Sequence, residues 1–493
     1  MSEFPLLTLN VFLPSLGALL ILLLFSSKEK NALLIKTTAL VFSAGSFIIS
    51  LYFYFYFSEG LFADYQFENK FTWFPQYNIH FHLGIDSISL PFILLSNFLV
   101  VISVLCSWNN IKFRLKAYMI AFLVLQTLIM GAFAAVDVIL FYIFFESVLI
   151  PMFFIIGIWG GENRVYAAYK FFLYTLLGSV FMLIAIIYAY QISESANMVD
   201  MTGILSKVDL SVQRLIWLGF FISFAVKVPM LPFHTWLPDA HVQAPTAGSV
   251  VLAGVLLKMG GYGFLRLSLP MLPQASHYFF DFISVLSVTA IIYTSLLAFT
   301  QTNIKKLIAY SSIAHMGYVT IAIFSGNIYG IQGAIFQMVS HGLISAGLFL
   351  VVGMLSDRTH TKEISKYGGV ASRMPNLAII FAVLVLASIA LPGTSGFIGE
   401  FMSLLSIYEI SKFYTFFAAT GMILGAVYML YLYKRVMLGK GINNSLEDIS
   451  ALEMVVLIPI LMLIIVFGVY PSVITGITEV AAGELAIYFQ SFK

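Results

Sequence analysis

Apolar runs long enough to cross a lipid bilayer occupy most of this chain. In a helix that rises about 1.5 Å per residue, about 20 apolar residues span a hydrocarbon core roughly 30 Å thick. An apolar fraction of 60% with only 10% charged residues points the same way,. The sequence therefore predicts an all-α polytopic membrane protein with about 14 transmembrane helices. The fourteen runs are 5–25, 32–57, 86–107, 117–135, 138–158, 167–190, 211–230, 248–268, 277–298, 304–324, 331–355, 376–411, 413–433 and 452–470.

Two of these runs are expected to be interrupted helices. The run 376–411 would form about 54 Å of continuous helix, which is far longer than a bilayer requires. It contains the segment LPGTSGF at 391–397, so we expect one helix that is broken in its middle. The run 211–230 is interrupted by Pro229, with Pro232 just beyond it, and proline removes a helical hydrogen bond,. The sequence thus predicts two broken helices.

Basic residues are distributed unequally between the two sets of loops. Cytoplasmic loops of membrane proteins are enriched in lysine and arginine. One set of loops contains fifteen basic residues and the other set contains six, which predicts that both termini lie on the outer side. The predicted inner residues are Lys28, Lys30, Lys112, Arg114, Lys116, Arg164, Lys305, Lys306, Arg358, Lys362, Lys366, Arg373, Lys434, Arg435 and Lys440, and the predicted outer ones are Lys70, Lys207, Arg214, Arg266, Lys412 and Lys493.

The order of the spans indicates an internal inverted repeat. Five spans in 117–268 begin on the inner side, and five spans in 277–433 begin on the outer side. In each set the fourth member is the broken helix, as in antiporter-like transporter folds. We therefore expect an N-terminal three-helix segment at 1–116, a first repeat at 117–268, a second repeat at 277–433, and a C-terminal loop and last helix at 434–493.

The composition excludes several classes of function. Cys106 is the only cysteine, so the chain cannot hold a cysteine-ligated iron–sulfur cluster or a four-cysteine zinc site,. No phosphate-binding glycine motif is present, and a net charge of +2 does not indicate nucleic acid binding,. We expect no cofactor in this chain.

Six ionisable residues deep inside the apolar runs are the candidates for function. A charge at the centre of a membrane helix costs roughly 2.5–3.5 kcal/mol, so such residues usually face protein or water and are often functional. Two acids, two lysines and two histidines could pass protons through ordered water without a cofactor. We expect a proton relay formed by Glu146, Lys227, Lys258, His315, His341 and Glu400.

Structural explanations compete with this hypothesis. Each buried charge could belong to a static ion pair that fixes helix packing. Lys36 and Lys170 lie near the inner face, where we expect them to extend toward water. The sequence does not determine the roles of His234 and His241, for which we favour a structural one. Asp137 and Asp239 are expected to cap helices, and the glycines of KMGGYG (258–263) to allow close helix packing,.

Long motifs resemble one known family. They are HTWLPDAHVQAPTAGSVVLAGVLLKMGGYG (234–263), FFESVLIPMFFIIGIWGG (144–161), LIAYSSIAHMGYV (307–319), SHGLISAGLFL (340–350) and LPGTSGFIGEF (391–401). Nearly the whole chain resembles the M-type membrane subunits of proton-translocating NADH-quinone oxidoreductase, respiratory complex I, which have counterparts in mitochondria and in plastids. The resemblance implies fourteen helices with two inverted five-helix repeats.

The resemblance also implies roles for the six residues. Glu146 and Lys227 would form the input ion pair. Lys258 would be the central relay lysine, with His315 and His341 extending the path. Glu400 would be the terminal residue; the related L-type subunits have a lysine at this position and a long extra lateral helix.

The same resemblance implies the surroundings of the chain. It would lie in a bacterial inner membrane beside L-type and N-type antiporter-like chains, while FMN, iron–sulfur clusters and quinone would bind other parts of the complex. Two alternatives remain open from the sequence. One is a D-type chain of a multi-subunit Na⁺/H⁺ antiporter or a chain of a membrane-bound hydrogenase, and the other is a passive membrane scaffold.

Overall fold

The computed structural model describes residues 5–25, 31–439 and 446–493. Lys28, Lys30 and Lys440, which the sequence assigns to inner loops, lie outside the described residues. Helices dominate the described chain. They are α1 Leu6–Leu24, α2 Ala32–Tyr56, α3 Ser89–Cys106, α4 Leu115–Ala134, α5 Val138–Ser147, α6 Leu149–Trp159, α7 Arg164–Ser193, α8 Met198–Leu205, α9 Leu210–Lys227, α10 Trp236–Gln243, α11 Thr246–Val251, α12 Leu257–Gly263, α13 Leu269–Met271, α14 Pro273–Tyr278, α15 Phe280–Thr300, α16 Ile304–Ser325, α17 Ile328–Thr359, α18 Pro375–Ser388, α19 Ser395–Tyr408, α20 Lys412–Met437, α21 Ala451–Val469 and α22 Ser472–Gln490.

Both predicted broken helices are present. The first consists of α9 and α10, which are separated by the segment that contains Pro229 and Pro232. The second consists of α18 and α19, each 14 residues long, which are separated by the LPGTSGF region. Proline and glycine interrupt the backbone hydrogen bonds of a helix, so the first half of each of these two spans ends inside the bundle.

Fourteen helices of the described chain are long and apolar enough to cross a membrane. This number agrees with the prediction, but the members differ at two places. Neither α18 nor α19 is long enough alone, whereas α22, which lies beyond the last predicted run, is included. Helix α22 was not among the predicted spans; its mean hydropathy is 1.3, beside 2.8 for α21.

Helix α22 lies across the ends of other helices. Near its start, the Val473 carbonyl accepts a hydrogen bond of 3.2 Å from Tyr54 Oη, at the end of α2. Near its end, the Phe489 ring stacks on His277, with ring centroids 3.8 Å apart. Since these contacts join the two ends of α22 to the ends of different helices, α22 runs over the surface of the bundle.

A β-hairpin adds a feature that the helical patterns did not predict. Strands β1 Gln66–Phe74 and β2 Ile79–Ile85 pair antiparallel. Asn78 closes the turn between them in the left-handed region, with φ of 50°. The Phe62 N–H donates to Glu484 of α22, so the hairpin and α22 lie at the same end of the bundle. We call this end the hairpin face and the opposite end the basic face.

The helices that carry the candidate residues form the centre of the bundle. The most apolar windows of α17 and of the span Thr246–Met271 are completely buried, whereas those of α2 and α21 are only 22% buried. Helix α17 packs against α3, α11, α16, α18, α19, α21 and α22. Peripheral helices therefore face lipid, and α17 is the central support of the site.

Candidate functional site

Lys227 is the last residue of α9, at the break in the first interrupted helix. Its side chain is 2% exposed, and its Nζ has no hydrogen-bond partner among the described residues. The ammonium lies 4.7 Å from the centroid of the Phe145 ring, which gives a cation–π contact,. The helix therefore ends with a buried lysine whose donors are not used by the described protein atoms.

Glu146 lies beside a second irregularity, where α5 ends at Ser147 and α6 begins at Leu149. Both of its carboxylate oxygens are buried without a hydrogen-bond partner among the described residues. Within the described residues, Glu146 and Lys227 form neither a hydrogen bond nor a salt bridge with each other, although their charges interact at longer range. The input pair implied by the resemblance is thus separated in this structure.

Glycines bring α9 and α12 into close contact beside Lys227. A Cβ atom at Gly260 would lie 2.9 Å from the Phe224 carbonyl and 3.0 Å from Lys227 Cβ. Only a residue without a side chain fits this approach, so the prediction that KMGGYG permits close packing is confirmed. The helix that carries Lys258 therefore contacts the broken end of α9.

Lys258 joins the first part of the site to the second. It is completely buried and follows a π-helical segment, Leu252–Leu256, a type of irregularity that is frequent at functional sites,. Its Nζ donates to the Ala253 carbonyl and lies 2.8 Å from His341 Nδ1. Lys258 and His341 thus form a direct contact between α12 and α17.

His341 is followed by His315 and Glu400. The two imidazole centroids are 5.7 Å apart, and His315 Nδ1 lies 2.5 Å from Glu400 Oε1. Gln337 Nε2 donates to the same carboxylate oxygen at 3.2 Å. Four of the six candidate residues therefore form one row across α12, α17, α16 and α19.

Hydroxyl groups surround this row, and sequence reasoning missed them. A central cavity is lined by His315, His341 and Glu400 together with Ser311, Ser312, Ser345 and Ser388. Ser388 Oγ lies 3.4 Å from His315 Nε2, and Ser311 Oγ lies 2.8 Å from Tyr428 Oη. These side chains can hold ordered water between the two histidines. Hydroxyls within apolar runs one turn from a histidine are the signal that could have identified them.

A second cavity opens at the basic face. Its lining includes Lys305, Asp357, His360 and Lys362. Lys305 Nζ donates to the Ala244 carbonyl at 2.9 Å, and burial lowers the pKa of the Lys362 ammonium in the loop after α17,. Helix α17 lines both cavities, with Leu348 in the central one and Gly353 in the second, so about one helical turn separates them along this helix,.

His241 occupies this partition. It is completely buried, and neither ring nitrogen has a hydrogen-bond partner among the described residues. Its ring stacks on Phe349 of α17, with centroids 4.4 Å apart and an interplanar angle of 11°. Buried polar groups normally have a hydrogen-bond partner, so the two ring nitrogens of His241 are exceptions within the described residues,.

For three other charged residues, the surroundings in the structure can be compared with those expected from the sequence. Lys170 forms an ion pair of 2.6 Å with Asp239 while both side chains stay partly exposed, which is compatible with the expectation that Lys170 extends toward water. Arg266, assigned to the outer loops, is instead buried and lies 2.5 Å from Asp86. The expected cap at Asp137 is confirmed, because its Oδ1 accepts from two backbone N–H groups at the start of α5.

Known proteins match this sequence over nearly its full length. A family model described as NADH:quinone oxidoreductase/Mrp antiporter, transmembrane, matches residues 135–427. The NADH-quinone oxidoreductase subunit M of Rickettsia prowazekii is 50% identical over 492 residues, which covers 99% of this chain and 100% of the relative. The NADH-ubiquinone oxidoreductase chain 4 of Chondrus crispus is 48% identical over 470 residues and covers 94% of each chain.

Solved structures share the fold. A chain of respiratory complex I from Thermus thermophilus matches with a TM-score of 0.90 at 28% identity, covering 98% of this chain and 99% of that chain. A chain of the Mrp complex from Dietzia matches with a TM-score of 0.85 at 20% identity, covering 97% of this chain and 52% of that chain, which shows a shared fold only. Identity of about half over the whole length favours subunit M over the antiporter alternative. The chain therefore belongs to the subunit M family of NADH-quinone oxidoreductase, the proton-translocating respiratory complex I.

Proposed function

We propose that this subunit moves protons along the row Lys258, His341, His315 and Glu400, under the control of Glu146 and Lys227. The observation that carries the proposal is the sequence of contacts, from Lys258 to His341 at 2.8 Å and from His315 to Glu400 at 2.5 Å. Between the two histidines lies a cavity lined by hydroxyl groups, which can hold the water needed for transfer,.

The ring nitrogens of His341 and His315 define the path of proton transfer. An ammonium at Lys258 gives its proton to His341 Nδ1, which leaves a neutral amine and an imidazolium. His341 then releases a proton from Nε2, which has no partner among the described residues, through water to His315. His315 passes a proton from Nδ1 to Glu400. Each imidazole returns to its neutral form before the next transfer.

Glu146 and Lys227 set the timing of the first step. When the two side chains are apart, as in this structure, the charge of Lys227 is not compensated by a direct partner among the described residues. This positive charge lies on the helix that contacts α12, so it repels a proton on Lys258 and drives it toward His341,. Contact between Glu146 and Lys227 would cancel the repulsion and allow Lys258 to be reloaded.

We propose that protons enter from the cavity at the basic face and reach Lys258 through His241. The unpartnered ring nitrogens of His241, in the partition between the two cavities, support this route. Lys305 and Asp357 in the cavity lining give the entrance polar and charged groups.

The excess of basic residues supports an orientation with the basic face in the cytoplasm and both termini outside. We propose that 117–268 and 277–433 are inverted repeats, which is consistent with one broken helix in each.

L-type and N-type chains would be the membrane-arm neighbours of this subunit. Flavin, iron–sulfur and quinone chemistry would occur elsewhere in the complex, because the single Cys106 cannot ligate a cluster,.

The test is a set of alanine variants in the assembled complex. Lys227→Ala, Lys258→Ala and Glu146→Ala should each assemble but lose most NADH-driven proton pumping, measured with a pH-sensitive dye in membrane vesicles. Lys36→Ala is the matched control, because Lys36 lies beside Trp108 near the basic face, away from the row. Normal pumping and normal quinone reductase turnover in the first three variants would overturn the relay.

A further inference from the structure

An apolar crevice opens in the side of the bundle close to the hairpin face. The space between its walls, with the open mouth included, is about 820 Å³. Leu51 and Phe55 of α2 form one wall, and Leu463 and Phe467 of α21 form the other. The floor is formed by α3 and α17, and none of the charged residues of the two cavities lines this crevice. It is therefore separate from the proton site.

The packing of the helices explains why the crevice exists. Both α2 and α21 pack against α3, and α21 also packs against α17. Among the described residues, however, α2 and α21 leave a gap between each other, and this gap is the mouth. The first turn of α22 covers the end at the hairpin face, where Val473 and Ile474 contribute to the lining.

The mouth faces the hydrocarbon of the bilayer. The crevice follows α2 from Phe55 to Phe47, a depth of about 12 Å into the membrane,. The helices on either side of the mouth, α2 and α21, are the least buried of the candidate spans in the described chain, and Phe55 is 75% exposed. A ligand would therefore reach the crevice sideways, from the lipid phase.

The chemistry of the lining selects the occupant. Among the described residues, the only polar side-chain group in the lining is Tyr54 Oη, and it already donates to the Val473 carbonyl. Water needs two or more polar partners and would find too few here. An empty apolar space would leave the surrounding side chains without van der Waals contacts on one side. In a bilayer, hydrocarbon chains are the apolar molecules that meet the mouth.

We propose that this crevice binds one acyl chain of a membrane phospholipid. Since no charged side chain of the described residues lines it, the site recognises the hydrocarbon chain and not the headgroup. The bound chain would pack against Leu343, two residues from His341 on α17. It would also contact Leu95 of α3, which is packed closely against Gly342.

Photolabelling of the assembled complex tests the proposal. The complex is reconstituted in nanodiscs with phosphatidylcholine that carries a diazirine on its acyl chain, and labelled peptides are mapped by mass spectrometry. We expect labels on peptides that contain Leu94, Leu343 and Phe467. Leu94→Trp fills the floor and should reduce this labelling severalfold. Met462→Trp on the exposed side of α21 is the control and should leave it unchanged.

Four results would overturn the proposal. The first is an absence of label on these peptides, and the second is equal labelling in Leu94→Trp and the native complex. The third needs a photoreactive amino acid in place of Leu463: a crosslink from this position to a neighbouring protein chain would show a protein occupant. If Leu94→Trp does not assemble, Leu463→Trp narrows the mouth from the lipid side and takes its place. Phosphatidylglycerol with the same diazirine chain should give the same pattern, and labelling that follows the headgroup would contradict recognition of the chain.

Discussion

The two ring nitrogens of each histidine in the central row have different surroundings. His315 contacts Glu400 through Nδ1 and Ser388 through Nε2. His341 contacts Lys258 through Nδ1, while Nε2 has no hydrogen-bond partner among the described residues. An imidazole placed in this way can accept a proton at one nitrogen and release a proton from the other, which a lysine, with a single nitrogen, cannot do.

His241 gives a prediction at this scale. His241→Phe keeps the aromatic stack on Phe349 but removes both ring nitrogens, so assembly should persist while proton pumping falls severalfold. Pumping per quinone reduced is measured in membrane vesicles. His234→Phe is the matched control, because His234 lies just before α10 and stands edge-on to Tyr293, away from the partition. Equal pumping in native and His241→Phe complexes would exclude this route for protons.

The buried ion pair of Arg266 and Asp86 gives a second prediction. Removal of one member of such a pair leaves an uncompensated charge and typically costs about 3–5 kcal/mol. Arg266→Met should therefore reduce the amount of assembled complex and its thermal stability in detergent. The double variant Arg266→Met with Asp86→Leu removes both charges and should recover much of the loss. A double variant as unstable as the single one would show that the pair is not the cause.

Partners of buried charges are the part of the site that the sequence could not supply. Lys258 and Glu400 could be identified as candidates because a charge inside an apolar run is visible in the sequence. Arg266 and Asp86, in contrast, are 180 positions apart, and only the fold brings them together. The same holds for Lys170 and Asp239, which are 69 positions apart.

At the scale of helices, the two breaks decide where the charged residues lie. Lys227 ends α9 inside the bundle, and Glu400 lies near the start of α19, just after the second break. Proline and glycine made both breaks predictable. The hairpin and α22 were not predictable from apolar runs, since β1 is mostly exposed and α22 lies over helix ends instead of crossing the bundle.

The contact between α9 and α12 can be tested with one methyl group. Gly260→Ala would press a Cβ against the Phe224 carbonyl and Lys227 Cβ, and so move Lys227 relative to Lys258. We expect lower pumping and lower thermal stability. Gly203→Ala in α8 is the control, because its Cβ would have no neighbour within 4 Å. Alanine in place of a helical glycine without a clash is expected to stabilise by roughly 0.5–1 kcal/mol. Equal effects of the two substitutions would contradict the tight approach.

For the whole molecule, the hairpin face and the basic face differ in shape and charge. The hairpin face carries β1, β2 and α22, while the basic face carries Arg358 in the last turn of α17 and Lys362 and Lys366 just after it. Family membership follows from the match over nearly the full length. The orientation in the membrane rests on the charge asymmetry and is open to a direct test.

Cysteine labelling provides this test. In a Cys106→Ser background the chain has no other cysteine, so Thr72→Cys in β1 and Glu363→Cys after α17 each introduce a single, exposed thiol. A membrane-impermeant maleimide should label Thr72→Cys in intact spheroplasts and Glu363→Cys only in inverted vesicles. The reverse pattern would show that the basic face points outward.

Helix α17 runs without interruption for 32 residues, about 48 Å,. Its residues line the cavity at the basic face, the central cavity around His341 and the crevice that contains Leu343. A small rotation of this helix about its long axis would therefore change the proton entrance and the Lys258–His341 contact together. It would also change how the crevice's occupant packs against α17. The rotational position of α17 would therefore couple the two cavities and the crevice to one another.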